Sequence, residues 1–236
     1  MVTHGPGTND TAVADHTMAL LFAISRDIPH FDALVKSGGW KTVNTSRPMI
    51  NSKTLGIYAM GRIGLHVAKR ARAFDMPVHY HNRSRRDDVD YVYEDSLMDL
   101  AKVSDYLICI APGGDETFHT INADVLKALG PTGYLISMGR GSVVDTDAMV
   151  DALNSGTIAG AGLDVFENEP DIPKHLREAK NIIFSPHIAG RAPETRTIMI
   201  GLFRNNLKNV LAGEPPDAGA GTGLHPGGRG GIVPHG

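Results

Sequence analysis

From Thr54 to Ser185 short apolar runs, bounded by turn residues, alternate with segments in which apolar residues recur every three or four positions. The runs TLGIYA, PVHYH, YLICIA, Tyr134 to Ser137, Ile158 to Leu163 and Ile182 to Ser185 have the length of strands. Helical patterns separate them at Arg62 to Phe74, near Leu97, from Ala123 and at Thr146 to Asn154, with Asn122 and Asp145 placed to cap the last two. Alternation of this kind predicts an α/β fold, a doubly wound parallel sheet wrapped by helices.

The two ends of the chain read differently. Residues 11 to 26 carry Val13, Ala14, Ala19, Leu20, Leu21, Phe22 and Ile24, a helix apolar nearly all round that must be covered on more than one side. A core helix and a dimer interface are equal readings of it, and a homodimer is the expected assembly. Ile198 to Leu211 predicts a last amphipathic helix, with Met199, Leu202, Phe203, Leu207 and Val210 near one face. Residues 214 to 236 are dominated by Gly and Pro, have little to bury, and are expected to be disordered. The domain reading is therefore a nucleotide-binding domain over 1–190, a C-terminal helix over 191–213 and a tail over 214–236.

With 42% hydrophobic and 21% charged residues, the composition is that of a soluble globular protein. A formal charge of -3 gives no general attraction to nucleic acid or to an anionic membrane. The apolar run Met18 to Ile24 is too short to span a bilayer, so no membrane association is expected and the cytoplasm is the default location. A single cysteine, Cys109, excludes an internal disulfide, and its apolar strand predicts a buried, inert thiol.

The segment LGIYAMGRIGLHVAKRARAF follows a strand and opens a helix, the setting in which a G-x-G-x-x-G pattern carries information. Its positions are Ala59, Gly61 and Gly64, with Arg62 and Ile63 in the same loop. The first glycine of such a loop serves a tight turn, the second admits a pyrophosphate and the third lets helix approach sheet, so alanine at 59 is tolerable if φ there stays negative. Where an NAD-binding loop places an acid on the ribose, at the end of the second strand, the sequence reads HYHNRSRR. Asn82 has no charge to repel a 2′-phosphate, and Arg83 and Ser84 can bind one, so NADPH is expected over NADH. His79 and His81 share a strand face but have no further ligands at suitable spacing, and no metal site is expected.

Arg140 in MGRGSVVD, Glu169 in DVFENEP and His187 in SPHIAG each follow one of the last three strands, at whose carboxyl ends ligands of an open α/β sheet lie. A cation to hold a carboxylate, and an imidazole tuned by an acid to supply a proton, suit reduction of a 2-keto acid.

Together these residues resemble the D-isomer-specific 2-hydroxyacid dehydrogenases, most of all the NADPH-preferring glyoxylate/hydroxypyruvate reductases. The resemblance runs from about Val2 to Gly213 and rests on PGTNDTAVADH, the GRIG loop, INADVLKALGPTGYLISMGRGSVVD, IAGAGLDVFENEP and SPHIAG. It implies that Arg140 binds the keto-acid carboxylate, His187 donates the proton, Glu169 keeps His187 protonated and Asp164 meets the nicotinamide carboxamide. It also implies a substrate domain whose N-terminal part is absent here, leaving either a reductase weakened by that loss or a module that holds NADP(H) with little turnover.

Overall fold

The computed structural model describes residues 5–41 and 46–217, so the expected tail lies outside the described residues from 218 onward. Helices α1 (Asp10–Ser25) and α2 (Ile28–Lys36) come first. Then follow β1 (Leu55–Tyr58), α3 (Arg62–Arg72), β2 (Val78–His81), β3 (Val92–Tyr93), α4 (Leu97–Val103), β4 (Tyr106–Cys109) and α5 (Ala123–Leu129). The order ends with β5 (Tyr134–Ser137), α6 (Thr146–Ser155), β6 (Gly160–Leu163), α7 (Lys174–Arg177), β7 (Ile182–Phe184) and α8 (Pro193–Leu211).

All seven strands form one parallel sheet in the order β3-β2-β1-β4-β5-β6-β7. Alternate residues of a strand face opposite sides, and β4 divides accordingly. Leu107 and Cys109 join a core with Leu100, Val125, Leu126 and Leu153 from α4, α5 and α6. Tyr106 and Ile108 join the other, with α1 and with Val67, Ala68 and Ala71 of α3. Burial pushes the Cys109 thiol up to about 12, as an inert core cysteine requires. The expected caps form: Asn122 Oδ1 accepts from the amides of Asp124 and Val125, and Asp145 Oδ1 from that of Ala148.

Residues Val13 to Ala189 make one compact unit. Within it α1 lies on the sheet, because Gly160 and Gly162 of β6 present no side chains. A Cβ at Gly160 would stand 3.2 Å from Ile24, and one at Gly162 3.4 Å from Leu20. Val13, Ala14, Met18, Leu20, Leu21 and Ile24 are all buried, so the core-helix reading accounts for the apolar character of α1, while Asp15 and Ala19 stay exposed.

The second unit combines, among the described residues, 5–12 with 190–217. Residues 5–12 thus go with the C-terminal segment, which begins at Gly190. Gly5 packs on Leu202, and Asn9 crowds Gly190. Helix α8 starts five residues earlier than its apolar pattern predicts, since Pro193 can open a helix but not continue one. Its expected apolar face is uncovered among the described residues: Met199, Phe203 and Leu207 are exposed, and Thr195 and Asn206 are the buried positions. Among the described residues no helix is long and apolar enough to cross a membrane.

Candidate active site

The nucleotide loop sits where strand order reverses about β1, at the carboxyl ends of β1 and β4. Gly61 is the N-cap of α3 and offers no side-chain acceptor to the first-turn amides. A Cβ there would meet nothing within 4 Å, so the protein leaves open the approach that a pyrophosphate would use, over a helix N-terminus that favours anions. A Cβ at Gly64 would stand 3.3 Å from Ile57 and 3.4 Å from Met60, so this glycine lets α3 close on the sheet. Arg62 and Ile63 complete the first turn, Ile63 packing partly into the core.

Ala59 departs from expectation, because its φ is +72° and not negative. The tight turn between β1 and α3 imposes the left-handed conformation whatever residue occupies it, and an L side chain there costs on the order of 1–2 kcal/mol. Ala59→Gly should therefore raise stability by about 0.5–1 kcal/mol after the added freedom of the unfolded chain is subtracted. A urea midpoint at or below that of the parent would contradict this reading of the turn.

At the end of β2, Asn82 turns toward the loop: its Oδ1 accepts from the Met60 amide at 2.6 Å. Arg83 pairs with Glu116 at 3.0 Å, both side chains being more than three-quarters exposed, and Ser84 is exposed beside it. The Tyr80 hydroxyl accepts from the Arg86 amide at 2.9 Å and so pins the basic turn.

Because β5, β6 and β7 are adjacent and parallel, the connections leaving their carboxyl ends meet on one edge. Arg140, Glu169 and His187 come together there around a cleft of about 440 Å³, with Gly113, Gly141, Ser142, Phe166 and Glu167. His187 Nδ1 lies 2.7 Å from Glu169 Oε2, while Glu169 Oε1 accepts from the Phe166 amide at 2.9 Å. Burial raises the Glu169 carboxyl, but the hydrogen bonds from His187 and Phe166 and the charges of His187 and Arg140 outweigh it. The net effect holds it below the usual glutamate value. Glu169 thus stays ionised through the neutral range, where it can orient and charge-stabilise an imidazolium.

Glycines on either side of Arg140 let its connection press against two others. A Cβ at Gly139 would fall 2.2 Å from the Ala111 carbonyl oxygen, and one at Gly141 1.9 Å from the Phe166 carbonyl carbon. Arg140 leans on the first of these turns, Nη1 donating to the Gly139 carbonyl at 2.8 Å.

Asp164, expected to meet a nicotinamide, is 1% exposed and grips the turn that carries His187. Its Oδ1 accepts from the Ser185 hydroxyl at 2.6 Å and the Ile188 amide at 3.0 Å, and its Oδ2 from the Ala189 amide at 3.0 Å. His187 itself has φ +51°, its amide donating to the Asp164 carbonyl at 2.8 Å. Sequence reasoning missed two partners of this edge. His16 of α1 places Nε2 2.7 Å from the Ser185 hydroxyl and 3.6 Å from Asp164, and Glu167 binds His119 and Thr146. The spacing of a histidine inside an apolar helix gave no sign of the first, whereas the first acid of ENEP could have flagged Glu167. Among the described residues no group of His, Cys, Asp and Glu could hold a metal ion.

Comparison with known proteins gives the same edge a context. Residues 18–189 match the family described as D-isomer specific 2-hydroxyacid dehydrogenase, NAD binding domain. The chain is 41% identical over 215 residues to a hydroxyphenylpyruvate reductase from Plectranthus scutellarioides, spanning 91% of this chain and 69% of that protein. It is 42% identical over 226 residues to a glyoxylate reductase from Thermofilum pendens, spanning 92% and 67%. A crystal structure of an NADPH-dependent glyoxylate/hydroxypyruvate reductase from Sinorhizobium meliloti, in complex with NADP and malonate, superposes with a TM-score of 0.82. The identity is 41%, over 89% of this chain and 67% of that one. The chain belongs to the D-isomer-specific 2-hydroxyacid dehydrogenases, with their NAD-binding domain at residues 18–189.

Proposed function

We propose that the protein is an NADPH-dependent reductase of small 2-keto acids such as glyoxylate or hydroxypyruvate. The observation that carries this reading is the meeting of Arg140, Glu169 and His187 around one cleft at the carboxyl edge of the sheet. Among the described residues Arg140 is the only Lys or Arg lining that cleft, and its fork suits a carboxylate bidentately. His187, hydrogen-bonded to an ionised Glu169, holds a proton for the carbonyl oxygen in reduction and accepts it back in oxidation. The nicotinamide, when bound, supplies the hydride that passes to the keto carbon. Gly61 and the bare first turn of α3 would hold its pyrophosphate, and the names of the relatives above support the substrate class. A homodimer remains the assembly proposed for it.

The cofactor preference rests on the end of β2. Asn82 brings no charge there, and the Arg83–Glu116 pair is exposed enough to exchange Glu116 for a phosphate at little cost. One charge-assisted contact from Arg83 predicts NADPH binding roughly 10- to 100-fold tighter than NADH. Titration of both nucleotides checks this, and equal affinities would count against it. The reaction itself is tested by following NADPH absorbance with glyoxylate and hydroxypyruvate. Oxidation of the cofactor dependent on either acid is expected, and tight NADPH binding without turnover would favour a nucleotide-holding module instead.

A further inference from the structure

Glu167 has no part in the scheme above, yet it lines the same cleft. Both of its oxygens are held. His119 Nε2 lies 2.8 Å from Oε1, and the Thr146 hydroxyl donates to Oε2 at 2.9 Å. The carboxylate is about one-quarter exposed, so it reaches the cleft without being able to swing freely in it.

These bonds join three connections. His119 belongs to the one after β4, Thr146 begins α6 at the end of the one after β5, and Glu167 belongs to the one after β6. The first two are already laced by backbone: the His119 amide donates to Ser142 at 2.9 Å, that of Ile121 to Val143 at 3.0 Å and that of Asp145 to Ile121 at 3.0 Å. The third, which bears Glu169, meets them through the two oxygens of Glu167 and the close approach at Gly141. His119 is fixed in turn, with φ +50°, a conformation non-glycine residues rarely adopt, and its ring stacked 3.9 Å from that of Phe118. Asp145 stands 3.9 Å from its other ring nitrogen.

We propose that Glu167 is a positioning residue, a carboxylate staple that ties the connection bearing Glu169 to the connection bearing Arg140. The guanidinium and the His187–Glu169 pair then face one substrate at a fixed separation. The inference rests on the reductase reading, in which Arg140 must hold the substrate carboxylate while His187 reaches its carbonyl oxygen. Displacement of one by about 1 Å can cost on the order of 100-fold in rate.

The test compares Glu167→Ala with Glu167→Gln. Glutamine keeps the shape and both bonds, its amide oxygen accepting from His119 and its amide nitrogen donating to the Thr146 hydroxyl, but lacks the charge. Two readouts are taken: kcat and KM for glyoxylate, and the side-chain NMR resonances of Arg140 Nε–H and the His187 ring in the free protein. Glu167→Ala should shift the Arg140 resonance, raise KM and lower kcat about 10-fold or more, with NADPH affinity unchanged. Glu167→Gln should stay within about twofold of the parent on each measure. Should the alanine variant fail to fold, Thr146→Val removes one bond without touching the charge and should shift Arg140 in the same direction by less. An unmoved Arg140 resonance in the alanine or valine variant overturns the proposal. So does a glutamine variant as impaired as alanine, since the charge would then matter and the staple would not. Absence of turnover in the parent would overturn the reductase reading alone, because the Arg140 resonance reports positioning without substrate.

Discussion

His187→Gln is expected to abolish most keto-acid turnover, by about 10²- to 10⁴-fold in kcat, while leaving NADPH affinity nearly unchanged. Glutamine can still hydrogen-bond Glu169 through its amide, so the cleft keeps much of its shape. Its amide protons are far too weakly acidic to be transferred. The turn from Ser185 to Ala189 should survive, because Asp164 holds it through Ser185 and the amides of Ile188 and Ala189 without using the His187 side chain. Thermal unfolding should accordingly change little. Steady-state kinetics with glyoxylate, beside a nucleotide titration, check the separation of the two effects. A variant with full activity would remove His187 from the chemistry, and one that loses NADPH affinity in equal measure would reassign it to the cofactor.

The second large effect is expected at a residue with no chemistry of its own. Gly141→Ala places a methyl group 1.9 Å from the carbonyl carbon and 2.0 Å from the carbonyl oxygen of Phe166, and 2.3 Å from the Glu167 amide nitrogen. All three obstacles are backbone, so no side chain can rotate away and the two connections must part. Overpacking of this kind costs about 1–3 kcal/mol, and the displacement of Glu169 from Arg140 should lower kcat/KM by roughly 100-fold. Gly61→Ala is the control for stability. Its methyl group meets nothing within 4 Å at an ordinary φ of -88°, so it should unfold at the parent temperature. Calorimetry on both variants decides the point, and a Gly141→Ala protein as stable and active as the parent would show that the connections are slack.

The parts of this fold that could be read from sequence are those in which local pattern and tertiary demand agree. Tyr134–Ser137 is a strand within the expected bounds, because a strand covered on both faces shows itself as an apolar run. Asn122 and Asp145 cap the helices expected of them, since a cap is decided within three residues. The two-residue strand β3 and the four-residue helix α7 escaped because elements so short carry no period. Helix α2 escaped too, although Pro29 stands in its first turn. At the site, Arg140, Glu169 and His187 could be picked out by residue type and by their place after a strand, and the neighbouring parallel strands bring them around one cleft. What escaped there depends on distant partners or on backbone conformation: the positive φ of Ala59, the grip of Asp164 and His16 on the His187 turn, and the staple at Glu167.

The seating of Leu20 and Ile24 on the glycines of β6 joins the beginning of the sheet unit to nearly its last strand. A contact between segments so far apart in the chain must close a very long loop before it returns any stabilisation, and contacts of that kind slow folding. During synthesis α1 can meet Leu55, Ile57 and Val67 of its core soon after they are made, but the strip of β6 that seats Leu20 and Ile24 appears much later. That end of the helix has to wait for a strand made well over a hundred residues later, and until then Leu20 and Ile24 lack part of their cover.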